Sequence, residues 1–135
     1  MDAVERYCTA SQTGDIDALV ESLADDARVV SPISGRMVFR GREDARILLG
    51  AVYDVLSDLR WTTRVGEGRD RVVLAEARIA GIRLTDAMVF ELAQDGRIQT
   101  VRPHLRPWLA LTVFAALLGP RVLRHPGIVR RALTR

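Results

Sequence analysis

The N-terminal part of the chain has apolar residues spaced three and four apart, which is typical of amphipathic helices. Residues 2–12 are predicted to form a first helix that Asp2 can cap, and Gly14 suits the left-handed position that follows a helix. The apolar stripe of a second helix runs from Ile16 to Leu23. The same spacing returns later and predicts a third helix over residues 42–56.

Alternation of apolar and polar residues, which indicates β-strands, takes over after residue 58. Two short strands are predicted before the third helix, at 28–31 and 37–39. Longer strands follow it, at 59–65, 70–79, 82–92 and 97–105. Their connections are short, and Asp95-Gly96 is a typical hairpin turn, so neighbouring strands should run antiparallel. This order predicts an α+β fold, with helices on one face of a curved antiparallel sheet.

The C-terminal segment, residues 106–135, has a different composition. Residues 108–118 are almost all apolar, and the Gly119-Pro120 pair is predicted to end that helix. The stretch is too short to span a bilayer, which takes about 20 residues. Either it closes the mouth of a pocket or packs in a dimer, or it forms, with the arginines behind it, a peripheral contact of residues 108–135 with an anionic membrane surface. We therefore divide the chain into a domain of residues 1–105 and a helical tail.

Charge is distributed unevenly along the 135 residues, which are enough for one domain of common size. Residues 1–105 carry 14 arginines and all 17 acidic residues, a net charge of −3, whereas residues 106–135 carry six arginines and no acidic residue. The pI of 9.9 therefore reflects the tail. With a single cysteine, Cys8, the chain can form neither an intrachain disulfide nor a cysteine metal cluster, and a cytoplasmic location is expected.

Asp86 is the first candidate for chemistry, because it precedes an apolar run that should line the interior of the sheet. Strand alternation places Asp86 on the same face as Met88 and Phe90. A carboxyl group in an apolar pocket has a perturbed acidity and can act as a neutral acid or as a base. The alternative is an aspartate that only bonds to a helix or to the backbone.

Other motifs for chemistry are missing from the sequence. It has no glycine-rich phosphate loop, no serine elbow and no zinc motif, so no cofactor is expected. His104 and His125 have no carboxylate or cysteine at ligand spacing, so no metal site is expected either. The arginines near the strand ends are typical of solvated positions, and few aromatic residues could stack on bases, so nucleic-acid binding is not expected.

A set of short motifs occurs in an order that is familiar from one superfamily. The set consists of Glu5-Arg6-Tyr7, Gly14 to Leu19, Leu23 to Ala27, Ser31-Pro32, Arg40-Gly41 and Asp86…Phe90…Gly96-Arg97-Ile98. It resembles the nuclear transport factor 2-like superfamily, in particular the branch of the ketosteroid isomerases and SnoaL-like polyketide cyclases. The resemblance covers roughly residues 1–105. It implies a cone-shaped curved sheet wrapped around the N-terminal helices, a deep apolar pocket and a homodimer.

The resemblance also implies roles for three positions. Tyr7 stands where ketosteroid isomerases have the tyrosine of their oxyanion hole, and Asp86 stands where they have the acid that shares it. Ser31, just before Pro32, stands where they have the aspartate general base. A serine of ordinary acidity cannot move a proton between carbon atoms, so the usual base is missing.

His104 is the candidate for a replacement base. In the related cyclases and limonene epoxide hydrolases an acid lies on the last strand, where this chain offers Pro103 or His104, and a histidine titrates near neutral pH. The alternative is a surface histidine between two prolines. The side chains expected to contact the ligand are Ser31, Met88, Phe90 and Trp61.

These residues predict a protein that binds an apolar, carbonyl-bearing small molecule of the steroid or polyketide type. In one interpretation it is an isomerase or cyclase that uses Tyr7 and Asp86 as hydrogen-bond donors and His104 as base. In a variant of this interpretation, Asp86 itself is the base. In the other interpretation the chain is a non-catalytic binding or accessory module of the same fold.

Overall fold

The computed structural model describes residues 2–134, which contain five helices and seven strands. The helices are α1 (Ala3–Thr13), α2 (Ile16–Glu21), α3 (Arg42–Val55), α4 (Trp108–Leu123) and α5 (Pro126–Leu133). The strands are β1 (Leu23–Val30), β2 (Val38–Arg40), β3 (Leu56–Val65), β4 (Asp70–Ile79), β5 (Ile82–Leu92), β6 (Ile98–Arg102) and β7 (Leu105–Arg106).

The seven described strands form one curved sheet that does not close into a barrel. Its order is β2-β1-β6-β5-β4-β3, and the short β7 pairs with the first half of β5. Neighbouring strands are antiparallel except β1 and β6, which run parallel. α1 and α3 pack against the sheet around a core that includes Tyr7, Leu19 and Phe90. The predicted α+β fold is confirmed, with one parallel pair in a mostly antiparallel sheet.

The starts of the two N-terminal helices are confirmed, because their caps form locally. The Asp2 carboxylate accepts the N–H of Glu5 at 2.9 Å, and Gly14 follows α1 with a φ of 74°. Asp15 caps α2 in the same way as Asp2 caps α1. The second helix is shorter than predicted and ends at Glu21.

The first strand is longer than predicted and includes residues assigned to the second helix. β1 begins at Leu23, whose carbonyl accepts Nε and Nη2 of Arg42 at 3.1 and 2.6 Å. Leu23 also pairs with Ile98 of β6. Asp25 and Asp26 interrupt the apolar alternation, but the register shifts at this point and both acids are exposed. The strand therefore continues through them as a bulge.

The helix of the tail continues through Gly119-Pro120, so the prediction that this pair ends it is wrong. The proline removes only the hydrogen bond to the carbonyl of Ala116, an exposed residue that water can reach. The buried stripe of the helix passes the proline without interruption and consists of Ala110, Phe114, Leu118 and Val122. α4 therefore extends to Leu123. Among residues 2–134, no helix is both long and apolar enough to cross a membrane.

The last predicted strand is divided in two. β6 ends at Arg102 and β7 begins at Leu105, because Pro103 between them has no N–H to give to the sheet. β7 pairs with β5 so that Leu105 lies opposite Asp86. Since the ladder is interrupted at Pro103, strand alternation does not determine which way His104 faces.

The turn between β3 and β4 depends on Gly66, which has a φ of 97°. A Cβ at this position would lie 2.6 Å from the backbone carbonyl oxygen of Asp70, which cannot move aside without shifting the strand. Gly66→Ala should therefore lower the free energy of unfolding by about 2 kcal/mol or more, because the left-handed conformation alone costs an alanine about 1–2 kcal/mol. Urea denaturation measures the loss.

Gly68→Ala is the matched control in the same turn. Gly68 also has a positive φ, of 72°, but a Cβ there would meet no atom within 4 Å. This variant should lose only the conformational part, about 1–2 kcal/mol, and therefore less than Gly66→Ala. Equal losses for the two alanine variants would contradict the steric role of Gly66.

Candidate functional site

An apolar cavity lies between α3, the sheet and α4, and has a volume of about 280 Å³. Most of its lining is aliphatic or aromatic and includes Leu49, Leu84, Met88, Val101, Phe114 and Leu118. The polar side chains among its described lining are Ser31, Tyr53, Trp61 and Asp86. An apolar space with a few polar groups is typical of a site for a small apolar molecule.

Asp86 reaches the cavity because the alternation of β5 directs Leu84, Asp86 and Met88 toward it. Its Oδ1 accepts the backbone N–H of His104 at 3.1 Å. Burial among apolar side chains raises the pKa of the Asp86 carboxyl to about 7, and the hydrogen bond from His104 opposes part of that rise. Both protonation states are therefore populated near neutral pH, so Asp86 can either donate or accept a proton.

Two tyrosines form a hydrogen-bonded pair beside this carboxyl. The hydroxyl oxygens of Tyr7 and Tyr53 are 2.6 Å apart. Tyr53 lines the cavity, whereas Tyr7 is fully buried behind it. Burial raises the pKa of both phenols, and the nearby charge of Asp86 raises it further. When Tyr7 donates to Tyr53, the proton of Tyr53 is left to point into the cavity as a hydrogen-bond donor.

Phe90 and Trp61 hold the Tyr7 ring in place. Tyr7 makes edge-to-face contacts with Phe90 and Trp61, with ring centroids 5.1 and 6.2 Å apart. Phe90 is fully buried and does not line the cavity. Trp61 does line it, but its indole N–H donates to Ser11 Oγ at 2.9 Å. Trp61 therefore offers the cavity its apolar ring and not a free donor.

Ser31 lines the cavity from the turn between β1 and β2. Its Oγ accepts the backbone N–H groups of Ile33 and Ser34, at 3.1 and 3.4 Å. These bonds are typical of a serine that closes a turn. The hydroxyl proton remains available to orient a ligand, but a group of this acidity is no general base.

His104 lies outside the cavity. Its side chain is exposed on the outer surface of the sheet, where Nδ1 lies 3.2 Å from the carbonyl oxygen of Ala87. Only its backbone N–H reaches the site, through the bond to Asp86. The structure therefore brings Asp86, Met88, Ser31 and Trp61 together around the cavity, keeps Tyr7 and Phe90 one layer behind, and leaves the imidazole away from them.

Tyr53 is the residue that the sequence analysis missed as a site residue. It belongs to the apolar stripe of the third helix, where the spacing alone predicts one more core position. A signal was present, because a tyrosine on an otherwise aliphatic face needs a partner for its hydroxyl. The chain has only one other tyrosine that could provide that partner, Tyr7.

The described groups around the cavity support acid–base chemistry and hydrogen bonding. Asp86 is the one titratable carboxyl of the described lining, and the Tyr53 hydroxyl can stabilise negative charge on a ligand oxygen. Among residues 2–134, no group of three or more histidine, cysteine or acidic side chains is arranged to hold a metal ion.

A sequence profile of the family described as SnoaL-like domain matches residues 4–101 of the chain. This match confirms the resemblance seen in the sequence motifs. A comparison with curated protein sequences found no match.

Several solved structures share this fold and superpose on most of the chain. An uncharacterized bacterial protein with a cystatin-like fold from Silicibacter pomeroyi has a TM-score of 0.89 and 23% identity, over 96% of this chain and 93% of that chain. A steroid delta-isomerase from Pseudomonas aeruginosa has a TM-score of 0.83 and 21% identity, over 93% of this chain and 92% of that chain. SalBIII is an epoxide hydrolase/cyclase-like enzyme with a role in pyran ring formation in polyether salinomycin. It has a TM-score of 0.67 and 21% identity, over 80% of this chain and 90% of that chain. At these identities the likeness shows the fold alone.

The raised pKa of Asp86 makes the stability of the protein depend on pH. A folded-state pKa of about 7, above the ordinary 3.8, means that the stabilising protonated form is fully present below about pH 4 and is lost as pH rises through 7. Asp86→Asn should leave the free energy of unfolding almost unchanged at pH 4. At pH 8 it should raise that free energy by roughly 2 kcal/mol or more, since one pKa unit corresponds to about 1.4 kcal/mol. Thermal unfolding between pH 4 and 8 measures the difference.

Asp95→Asn is the control for this pH series. The backbone N–H and the guanidinium of Arg97 lower the pKa of the Asp95 carboxyl, so its removal should give no stabilisation at pH 8. If Asp86→Asn and Asp95→Asn shift the unfolding temperature equally at pH 8, burial of the Asp86 charge is not the cause.

Proposed function

Because this chain belongs to the SnoaL-like domain family, we propose that its cavity binds an apolar, carbonyl-bearing small molecule of the steroid or polyketide type and promotes its isomerisation or cyclisation through an enolate. The observation that carries this proposal is a single carboxyl, that of Asp86, with a pKa of about 7 in an otherwise apolar cavity. A base whose pKa lies near the working pH is the most effective for removing a proton next to a carbonyl.

Asp86 is the base in this proposal. Its carboxylate removes a proton from the carbon next to the ligand carbonyl, holds it on a side-chain oxygen and returns it at a second carbon. The ring of His104 lies outside the cavity and Ser31 is too weak a base, so neither competes for this role. The backbone N–H of His104 fixes Oδ1 and leaves the second oxygen of Asp86 for the ligand.

The tyrosine pair supplies the donor to the ligand oxygen. Negative charge develops on the carbonyl oxygen as the enolate forms, and a donor already in position stabilises it. Tyr53 has the position for this contact because it lines the cavity. The Tyr7 oxygen lies 2.6 Å from the Tyr53 oxygen, and when Tyr7 donates in this bond the proton of Tyr53 is free for the ligand. Two linked hydroxyls share the developing charge, which strengthens the bond to the ligand.

Two of the similar structures favour this class of chemistry. One is a steroid delta-isomerase and one an epoxide hydrolase/cyclase-like enzyme. Their identities of 21% extend to the fold, so the reaction assigned to this chain rests on the arrangement around Asp86.

A non-catalytic binding module is the second candidate. It is favoured by the near-absence of polar groups in the described lining, which leaves a ligand with one carboxyl and few hydroxyls to meet. Such a module would bind an apolar ligand, raise the unfolding temperature and release the ligand unchanged.

Turnover of a 5-ene-3-ketosteroid and of a panel of polyketide-like ketones tests the catalytic proposal. Asp86→Asn should lower kcat by about 100-fold or more, the usual range for loss of a general base. Tyr53→Phe should lower it by a similar factor, since one oxyanion donor contributes roughly 10²–10³-fold. Tyr7→Phe should have a smaller effect, and Asp95→Asn should have none. Ligands that raise the unfolding temperature but are never converted would support the binding module instead.

The pH profile distinguishes the two roles open to Asp86. If its carboxylate is the base, kcat/KM rises with pH and levels off above about 7. If its protonated form is a hydrogen-bond donor, kcat/KM falls above the same pH. A fall would contradict the assignment of Asp86 as base, and a flat profile would remove Asp86 from the reaction.

A further inference from the structure

The outer face of α4 is apolar although it is exposed. Trp108, Leu109 and Leu123 are 77%, 51% and 65% exposed, and of these three only Leu123 also lines the cavity. At helical spacing they share one face with Thr112, Ala116 and Pro120, all of which are exposed. The one hydroxyl on this face, that of Thr112, donates to the carbonyl of Trp108 at 2.9 Å. A helix surface in contact with water normally carries charged residues, and this one carries none.

The opposite face of α4 holds the helix firmly on the domain. Its buried stripe packs over the cavity and consists of Ala110, Phe114, Leu118 and Val122. Arg121 forms an ion pair with Asp54 of α3 at 3.4 Å, and Arg131 of α5 bonds to the buried Asp44 of α3 at 2.8 and 2.9 Å. The outer face is therefore displayed in one fixed orientation and cannot turn inward.

Exposed arginines flank α4 and occur on α5. Arg106 lies just before α4, Arg124 just after it and Arg130 on α5, and all three are exposed. None of them forms an ion pair with a carboxylate among residues 2–134, whereas Arg121 and Arg131 do. Residues 106–135 contain no acidic residue. The surface is thus an apolar strip about 24 Å long, from the rise of 1.5 Å per residue, with cations at its ends.

We propose that the outer face of α4 docks on an anionic lipid bilayer, with Trp108, Leu109 and Leu123 among the head groups and Arg106, Arg124 and Arg130 on the lipid phosphates. A helix of this design lies in the plane of the interface, and tryptophan is the residue best suited to that depth. Arginine pairs with phosphate through two parallel hydrogen bonds.

A second copy of the chain fits this face less well. Two α4 helices packed antiparallel across a two-fold axis would bring Arg106 of one copy toward Arg124 and Arg130 of the other. Neither tail has an acidic residue to compensate the repulsion. An anionic lipid surface would cover the apolar strip and pair with the arginines that have no carboxylate partner within residues 2–134. The buried stripe of α4 covers the cavity, and Trp108 and Leu109 on the outer face do not line it.

Binding of the full chain to lipid vesicles tests this proposal and needs no ligand for the cavity. Vesicles of phosphatidylcholine with about 30% phosphatidylglycerol should bind the protein at low salt, and binding should weaken at high salt because charge contributes. Pure phosphatidylcholine should bind it at least about tenfold less. The fluorescence of Trp108, followed in Trp61→Phe, should shift to shorter wavelength on binding. No binding of the folded protein to the anionic vesicles overturns the proposal.

Matched variants separate this surface from general charge attraction. The triple change Arg106→Gln, Arg124→Gln and Arg130→Gln should weaken vesicle binding about tenfold or more. The control triple Arg6→Gln, Arg36→Gln and Arg83→Gln removes the same charge from exposed positions elsewhere. An equal loss in both triples contradicts the assigned surface.

The apolar contribution has its own pair of variants. Leu109→Ser, at an exposed position that does not line the cavity, should reduce the fluorescence shift, whereas Leu74→Ser, exposed on the sheet, should leave it unchanged. Each variant is first checked for an unchanged unfolding temperature. A dimer in solution that Leu109→Ser dissociates, without vesicle binding by the parent chain, would assign the face to a second copy and overturn the proposal.

Discussion

The packing of α4 over the open side of the sheet is the constraint on which the candidate site depends. The sheet is curved but not closed, so its inner face would be open to water at one side. Phe114, Leu118 and Val122 pack over that side and form one wall of an apolar cavity. Burial in this space raises the pKa of Asp86, and the same burial excludes the water that would otherwise weaken its hydrogen bonds.

The tail is therefore part of the site and not an appendage to it. Two polar bonds to α3 hold it there, from Arg121 to Asp54 and from Arg131 to Asp44. Asp44 is almost fully buried, so its charge needs the partner that α5 supplies. The described arginines of the tail thus form two groups, those with and those without a carboxylate partner. Arg121 and Arg131 pair with carboxylates of α3, whereas Arg106, Arg124 and Arg130 have no carboxylate partner within residues 2–134 and are exposed.

Much of the fold could be predicted from the sequence, because local signals determine it. Asp2 and Gly14 mark the ends of the first helix through a capping bond and a left-handed φ, and both signals depend only on neighbouring residues. The alternation of β5 likewise placed Asp86 and Met88 on the cavity side. Periodicity did not predict that α4 passes Pro120, because the packing that outweighs one lost hydrogen bond comes from distant elements.

A periodic pattern also cannot predict how deep a side chain lies within the core. Tyr7 and Phe90 lie on the predicted faces, but one layer behind the cavity wall, and Tyr53 is the tyrosine of the pair that lines the cavity. Periodicity gives the direction of a side chain and not its distance from a cavity. The direction of the His104 side chain could not be predicted for another reason. Pro103 interrupts the strand, so the alternation of side chains between the two faces does not continue to His104.

Burial in the apolar cavity keeps the Asp86 carboxyl close to half-protonated at neutral pH. The most direct measurement is an NMR titration of the side-chain carboxyl carbon of Asp86 in the ¹³C-labelled protein, assigned with Asp86→Asn. The expected midpoint lies near pH 7. A midpoint near the ordinary value of 3.8 would mean that water reaches the carboxyl, and it would contradict the proposed base.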